Sequence, residues 1–362
     1  MKKPASFSAT VLMLLLLGFF SAEIAAESNP NEVFQTRPIQ LGTTGANIND
    51  ISSLFCCSGT LGALVKDSSG NQFILTNNHV LAKTNKGIIG EGIIQPGLID
   101  QTPTCFQNVG DTVANLSAFK KIKFKARTTN TIDAAIAQVV SGTVDQSGSI
   151  LDIGQVSSSI VAPAVGMDVK KSGRTTGLTT GTIESINLTV NITYDKQCGI
   201  GSRTALFTNQ IGISPGNFSA AGDSGSLIVE NVATCPRAIG LLFAGSSSIT
   251  IANPIGNVLN AFGVSMVGCS SSASQAASPL PGLSLSSPII ANAIQVKSRH
   301  EQTLLSIPGV VGVGVGLSQK ARTQGVIQVY VKKATDELTK ALSNQIEGIP
   351  VEVIETGEIL AF

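Results

Sequence analysis

Ala221-Gly222-Asp223-Ser224-Gly225-Ser226 is a glycine-flanked turn that leads into the strand-like run Leu227-Ile228-Val229. Such a turn can present one hydroxyl, that of Ser224, to solvent, as a nucleophile requires. Its glycines let the backbone approach a substrate carbonyl, so that the N–H groups of Gly222 and Ser224 face a developing oxyanion. Asp-Ser-Gly turns are also common between strands without any catalytic role. The turn therefore indicates a catalytic site only if the chain also supplies a general base and an acid that orients it.

The N-terminus has the features of a secretory signal peptide. Lys2 and Lys3 precede an apolar run over 11–20, and small residues follow at about 22–26. We expect cleavage after residue 26, which makes the protein secreted or periplasmic. Signal peptides usually have a small residue at the third position before the cleaved bond, and Ile24 departs from this. A retained membrane anchor is therefore the alternative, although the apolar run is short for a transmembrane span.

Net charge excludes several classes of partner. Removal of residues 1–26 takes two lysines and one glutamate from 24 basic and 23 acidic residues, which leaves 22 of each. This balance gives no electrostatic case for a nucleic acid or an anionic membrane as partner. The oligomeric state is not readable from the sequence.

Six cysteines in an exported chain favour disulfides over a metal site. They show no C-x-x-C spacing, and the chain has only two histidines, so we expect no metal and no other cofactor. Neighbouring Cys56 and Cys57 would point to opposite faces of a strand, and at most one can reach a given partner. Of the fifteen pairings that six cysteines allow, we expect Cys198 with Cys235 and Cys57 with Cys105.

The order of sequence patterns predicts a mainly β chain with a small α+β unit at its end. From Leu54 to Gly268, short runs of β-forming residues alternate with turn residues, which predicts a barrel or sandwich. Residues 270–287 contain eight serines, two prolines and no charge, as a linker does. Beyond it, the patterns predict a helix over Pro288 to Ser306, a strand over Val310 to Leu317, and further strands and a helix. The predicted segments are a signal peptide 1–26, an N-terminal segment 27–53, a β domain 54–269, the linker 270–287 and an accessory domain 288–362.

Two residues are candidates to act with Ser224. His79 follows the apolar strand-like run 73–76 at a polar turn, and a strand end is a rigid mount for a general base. A surface or core histidine is the alternative. Asp133 leads an apolar run over 134–140, and a buried carboxylate needs a partner such as an imidazole that becomes cationic. A turn-capping aspartate is the alternative.

The three residues lie in three of four blocks that resemble those of bacterial chymotrypsin-like serine proteases. The blocks are Leu75-Thr76-Asn77-Asn78-His79-Val80, Ile132-Asp133-Ala134-Ala135, Lys171-Ser172-Gly173-Arg174-Thr175-Thr176-Gly177 and Gly222-Asp223-Ser224-Gly225. The third is similar to a block of the α-lytic group, and the set is also similar to the plant narrow-leaf proteins. The resemblance covers about residues 54–268. It implies a chymotrypsin-like double β-barrel with its site in the cleft between the barrels.

The resemblance also implies a function. Ser224 would attack the scissile carbonyl, His79 would take and return the proton, and Asp133 would hold the ring tautomer. Gly222 and Ser224 would bind the oxyanion. The expected activity is that of a secreted serine endopeptidase acting on proteins or peptides. A peptide-binding pseudoprotease and an esterase with the same triad are the alternatives.

Asp223, next to the nucleophile, is expected to be buried and to need a partner. In the α-lytic group the arginine of the corresponding block supplies it, so we expect an ion pair between Arg174 and Asp223 that makes the site competent on folding. An exposed surface arginine is the alternative.

Substrate preference rests on few residues. Phe218 and Gly245 are the candidate pocket residues, and a packed core phenylalanine is the alternative for Phe218. The loop 214–221 holds no carboxylate, so a preference for Arg or Lys is not expected. His300 lies beyond the linker, so a histidine-based glutamate pocket is not expected either. The unit 288–362 is expected to bind substrate or to act as a folding helper or inhibitor.

Overall fold

The computed structural model describes residues 29–126, 128–270, 283–318 and 323–362. The expected signal peptide lies outside these ranges, as does most of the expected serine-rich linker. Within them, no helix is both long enough and apolar enough to cross a bilayer.

Short β-branched and apolar runs form strands wherever glycine, asparagine and serine turns separate them. In chain order the strands are β1 Thr43–Asn47, β2 Gly59–Leu61, β3 Ala63–Lys66, β4 Gln72–Thr76, β5 Gly92–Ile94, β6 Thr112–Phe119, β7 Thr129–Asn130, β8 Ala135–Val139, β9 Ser149–Ile150, β10 Gly154–Gln155, β11 Asp168–Gly173, β12 Gly177–Gln197, β13 Ile200–Ser214, β14 Leu227–Glu230, β15 Ala238–Gly245, β16 Thr250–Pro254, β17 Ser265–Met266, β18 Val310–Leu317, β19 Gly325–Val331, β20 Gln345–Ile346, β21 Ile349–Glu355 and β22 Leu360–Ala361. The helices are α1 Asn78–Leu81, α2 Ile255–Phe262, α3 Pro288–Ser306 and α4 Asp336–Ala341. Short 3₁₀ helices span Leu98–Asp100, Val109–Asp111 and Gly216–Phe218.

The first barrel is a curved sheet with the strand order β17-β3-β4-β8-β6-β5-β1-β2. β2 and β3 are one chain segment that bends at Gly62. A Cβ at Gly62 would lie 1.8 Å from the carbonyl oxygen of Gly225, so only glycine allows this close approach to the turn that contains Ser224. β1 belongs to the segment 27–53 that the sequence analysis kept outside the β domain, and it pairs with β2 and β5.

The second barrel is formed by β12, β11, β14, β15, β16 and β13 in that order. A further pairing of β12 with β13 joins the two ends of this row and closes the barrel. Its interior is apolar, and Phe218 lies fully buried in the core cluster there. The prediction of a mainly β, chymotrypsin-like double β-barrel is therefore confirmed.

The C-terminal unit extends the sheet of the second barrel. β18 is hydrogen-bonded antiparallel to β12, and β19 and β21 follow on its far side. α3 begins with Pro288 at its first turn, where the missing N–H costs nothing. This helix buries Val296 and Leu304 against Val313 and Val329 of the added strands. The unit is thereby held against the barrel that carries Ser224.

Candidate active site

Two antiparallel strands of the first barrel place a histidine beside an aspartate. Thr76 at the end of β4 lies opposite Ala135 at the start of β8. His79 follows β4 in α1 and Asp133 precedes β8, so the register brings both to one end of the barrel. His79 Nδ1 lies 2.6 Å from Asp133 Oδ2. The structure thus brings these two predicted residues together.

Asp133 is fully buried and held from several sides. Its Oδ1 accepts a hydrogen bond from the backbone N–H of Asn78 at 2.7 Å, and its Oδ2 accepts one from the Tyr194 hydroxyl at 2.9 Å. Its own N–H donates to Asn253 Oδ1 at 2.8 Å. These hydrogen bonds satisfy the buried carboxylate and fix its orientation. It can therefore fix the tautomer and the plane of the His79 ring.

The pKa of His79 is raised above its ordinary value of 6.5. Burial acts to lower it, but the charge of Asp133 and its hydrogen bond, a hydrogen bond to the Phe362 backbone and the charge of Asp50 together outweigh burial. The pKa of Tyr194 is raised well above 10 by burial and by Asp133, so the Tyr194 hydroxyl remains a donor.

Ser224 is fully buried, contrary to the expected exposed hydroxyl. Its Oγ donates to the carbonyl oxygen of Phe243 at 3.2 Å. His79 Nε2, the atom that would take the proton of a nucleophile, instead lies 3.0 Å from the backbone oxygen of Phe362. In this state the His79 ring is hydrogen-bonded to Phe362, and the Ser224 hydroxyl is hydrogen-bonded to Phe243.

The turn around Ser224 has a conformation that requires glycine. Gly222 and Gly225 have φ values of +99° and +95°. A Cβ at Gly225 would lie 1.9 Å from Thr76 Oγ1, so both sterics and φ exclude a side chain there. Among the described residues, the N–H groups of Gly222 and Ser224 donate to no backbone or side-chain acceptor. Both are free to bind an oxyanion.

The expected ion pair between Arg174 and Asp223 is wrong. Arg174 makes a two-pronged contact with Asp100, with Nε 2.7 Å from Oδ2. The cation that faces Asp223 is Lys171, whose Nζ lies 3.7 Å from Asp223 Oδ2 with both side chains fully buried. The reason is strand geometry: Lys171 and Gly173 share one face of β11, and Gly173 is packed against Asp223. Arg174 lies beyond the strand end, where its guanidinium passes close to Gly222 and pairs with Asp100 and Glu32.

Lys171 faces Asp223 at ion-pair distance, while its Nζ donates hydrogen bonds to Thr176 Oγ1 and to the Gly177 carbonyl oxygen. Asp223 also accepts hydrogen bonds from the backbone N–H groups of Thr175, Thr176 and Ala220 and from the Thr176 hydroxyl at 2.7 Å. Burial lowers the pKa of Lys171 to about 8, against the opposing pull of Asp223. The expectation that Asp223 is buried and partnered therefore holds, with a different partner.

The cleft between the barrels has a volume of about 250 Å³. His79 of the first barrel and Gly222 of the second line it, together with Asp50, which sequence reasoning missed. Burial raises the pKa of Asp50 to about 7, partly offset by Lys83. Phe218 is a core residue and does not line this cleft, so the alternative interpretation of Phe218 holds. Gly245 lies against the ring of Phe362.

All six cysteines are paired, but not as expected. The expected pairs Cys198–Cys235 and Cys57–Cys105 are both wrong. The disulfides are Cys56–Cys105, Cys57–Cys198 and Cys235–Cys269. Cys56 and Cys57 do reach different partners, as their opposite directions require. Within the described residues, no group of side chains could hold a metal ion.

Comparisons with known proteins relate the chain to bacterial proteases. A family model described as the Nal1 C-terminal domain matches residues 122–252. Glutamyl endopeptidase 2 of Streptomyces griseus is 32% identical over 128 residues, which cover 35% of this chain and 60% of that protein. The chain therefore aligns with three fifths of this relative's length.

Solved structures of serine proteases are also similar. A glutamic acid specific serine protease that uses a histidine triad in substrate binding is 21% identical with a TM-score of 0.43, covering 63% of this chain and all of that one. Nocardiopsis protease is 18% identical with a TM-score of 0.43, covering 63% of this chain and 98% of that one. The chain is similar to bacterial chymotrypsin-like serine proteases.

Proposed function

We propose that the protein is an exported serine endopeptidase in which Ser224 is the nucleophile, His79 the general base and Asp133 the orienting acid. The observation that carries the proposal is the 2.6 Å contact between His79 Nδ1 and a fully buried, multiply hydrogen-bonded Asp133. A merely structural histidine has no need of so rigid an acceptor in a cleft beside a Gly-Asp-Ser-Gly turn.

The reaction follows from these positions. With Nδ1–H held by Asp133, the neutral ring offers its Nε2 lone pair, which takes the proton as Ser224 Oγ bonds to the carbonyl carbon. The Gly222 and Ser224 N–H groups receive the negative charge that develops on the carbonyl oxygen. His79 then returns its proton to the departing amine, and a water molecule, activated in the same way, releases the acyl group from Ser224.

For Ser224 to act, two contacts of the present state must change. Its hydroxyl must turn from the Phe243 carbonyl oxygen to His79 Nε2, and the Phe362 backbone oxygen must leave that nitrogen. This occupied state favours a second candidate function, a peptide-binding protein that hydrolyses little. Export of the protein is supported by three disulfides, which form in oxidising compartments.

The glutamate preference in the names of two similar proteins is not carried over. This chain has two histidines in all, which cannot supply a histidine triad for substrate binding in addition to the catalytic base. Of the two, His300 is exposed and contacts Glu347 in the C-terminal unit.

Hydrolysis of fluorescently labelled casein and of a short-chain nitrophenyl ester tests the proposal. We expect the wild-type chain to release peptides from casein and Ser224→Ala to lose at least about 10³-fold in rate, because the triad acts as a unit. Ser158→Ala, an exposed serine outside the cleft, is the matched control. Ester hydrolysis without casein hydrolysis would indicate an esterase. Equal rates for Ser224→Ala and wild type would exclude Ser224 as the nucleophile.

A further inference from the structure

The last residues of the sequence lie across the candidate active site as an added strand. β22 pairs antiparallel with β15, with Ala361 opposite Ala244 and Leu360 opposite Gly245. On its other side Leu360 lies in parallel register with Thr193 of β12. β15 is the strand whose Phe243 carbonyl oxygen accepts the Ser224 hydroxyl. The segment 360–362 therefore runs beside the nucleophile in extended conformation, as a bound peptide does.

Backbone groups of Phe362 contact His79 and the Phe243 carbonyl oxygen that also accepts the Ser224 hydroxyl. Its N–H points to the Phe243 carbonyl oxygen at 3.5 Å, and its backbone oxygen lies 3.0 Å from His79 Nε2. With Asp133 accepting at Nδ1 and Phe362 accepting at Nε2, both ring nitrogens must donate. A His79 ring held in this way is protonated and cannot act as a base.

The side chain of Phe362 occupies a place that only a glycine leaves open. A Cβ at Gly245 would lie 2.5 Å from Cζ of the Phe362 ring. The ring also packs against the core cluster of the second barrel, to which Phe218 belongs. Phe362, whose backbone oxygen faces His79, thus inserts its aromatic ring beside Gly245. Ala361 places a small side chain in the cleft.

The segment is anchored at Ile359, and Leu360, the next residue, is exposed. Ile359 is buried in the core of the second barrel, and its carbonyl oxygen accepts the Thr193 N–H at 3.0 Å. Leu360 is 45% exposed, and the added strand is only two residues long. A strand this short can leave the cleft while Ile359 keeps its place.

We infer that residues 360–362 occupy the cleft in place of a substrate and hold the enzyme in a self-inhibited state, and that they mark its substrate class. The favoured substrate is a polypeptide with a large aromatic side chain immediately before the cleaved bond, a small residue before that, and an apolar one before both. This inference rests on the proposed function, because it assigns the regulation and the specificity of the same site.

The strength of self-inhibition can be measured as the increase in kcat/KM when the segment is weakened. Substrate binds only the fraction of molecules in which the segment has left, so the apparent affinity falls by that fraction. Phe362→Ala removes the ring that packs beside Gly245. We expect this variant to cleave a Leu-Ala-Phe coumarin amide with a kcat/KM about tenfold or more above that of wild type. Phe106→Ala, which truncates an exposed phenylalanine outside the cleft, is the matched control and is expected to match wild type.

A second variant and a free peptide make the test specific. Leu360→Gly removes a different side chain of the segment and is expected to raise kcat/KM in the same direction. The peptide Ile-Leu-Ala-Phe, added to Phe362→Ala, is expected to inhibit competitively, and to inhibit wild type less because the segment already fills the site. The Leu-Ala-Phe amide is expected to be cleaved faster than its Leu-Ala-Glu and Leu-Ala-Arg counterparts.

Labelling of Ser224 by a fluorophosphonate distinguishes a failure of the self-inhibition proposal from a failure of the proposed protease function. Equal kcat/KM for wild type and both segment variants, with equal labelling of Ser224, would overturn self-inhibition and leave the protease proposal standing. Faster cleavage of the glutamate or arginine substrate would overturn the specificity. Absence of both labelling and cleavage in all chains, with their folding verified by circular dichroism, would overturn the proposed function itself.

Discussion

Replacing Lys171 with methionine isolates the cation that faces Asp223 beneath the nucleophile turn. The change keeps an unbranched buried side chain but removes the ammonium 3.7 Å from the carboxylate. Removal of one partner from a buried ion pair costs about 3–5 kcal/mol. Asp223 keeps four other hydrogen bonds, and the variant no longer buries an ammonium. We therefore expect a loss near the lower end, about 3 kcal/mol of unfolding free energy.

The same substitution is expected to affect catalysis more than binding. Asp223 anchors the turn whose Gly222 and Ser224 N–H groups would bind the oxyanion, and loss of one such donor costs about 10²–10³ in kcat. Urea unfolding followed by circular dichroism gives the stability, and initial rates on a peptide amide give kcat and KM.

Lys170→Met is the matched control for Lys171→Met. Lys170 is the neighbouring lysine on β11, but its Nζ donates to the Val232 carbonyl oxygen at 2.8 Å rather than to a carboxylate. Loss of that hydrogen bond is expected to cost about 0.5–1.5 kcal/mol with little change in kcat. Equal stability losses in the two variants, together with an unchanged kcat for Lys171→Met, would refute the assignment of Lys171 as the partner of Asp223.

Two further predictions concern the pH dependence of kcat/KM. Because His79 must be neutral to accept a proton and its pKa is raised, kcat/KM is expected to increase with pH through a midpoint above 6.5, and a profile flat between pH 5 and 8 would contradict this role. Tyr194→Phe removes a hydrogen bond that satisfies Asp133, which makes the carboxylate a stronger acceptor. The midpoint is therefore expected to move to higher pH, with a stability loss of about 0.5–1.5 kcal/mol, whereas an unchanged midpoint would show that Tyr194 has no such effect.

Local patterns were sufficient to predict much of the fold. The helix Pro288–Ser306 and the strand Val310–Leu317 have the bounds that their sequence patterns indicated. His79 and Asp133 were candidates because each stands at an end of an apolar run, and the resemblance of their blocks to those of chymotrypsin-like proteases joined them in one site. The pairing of β18 with β12 could not be predicted from the sequence, because hydrogen bonding between distant strands leaves no periodic signal in either strand.

The errors at the site have a physical origin. Arg174 and Lys171 are both cations near Gly173, and only the alternation of side chains along β11 decides which faces Asp223. That alternation could have identified Lys171, had Gly173 been recognised as the point of closest approach to Asp223. Cysteine pairing among fifteen alternatives depends on the fold, which spacing does not reveal.

The contact between His79 and Phe362 could not be predicted from the sequence either. It joins residues 283 positions apart, and the segment 359–362 reads only as a short apolar run. The C-terminal unit was expected from the sequence to bind substrate or to act as a folding helper or inhibitor, and the proposed self-inhibition by residues 360–362 is one form of that role.

The most direct test of the central claim is the site of covalent modification by a fluorophosphonate, located by peptide mapping in the Phe362→Ala chain. We expect one adduct per molecule, on Ser224, and its loss in a chain that also carries His79→Ala. An adduct on any other residue, or a folded Phe362→Ala chain that stays unmodified at high reagent concentration, would contradict the assignment of Ser224 as a nucleophile activated by His79.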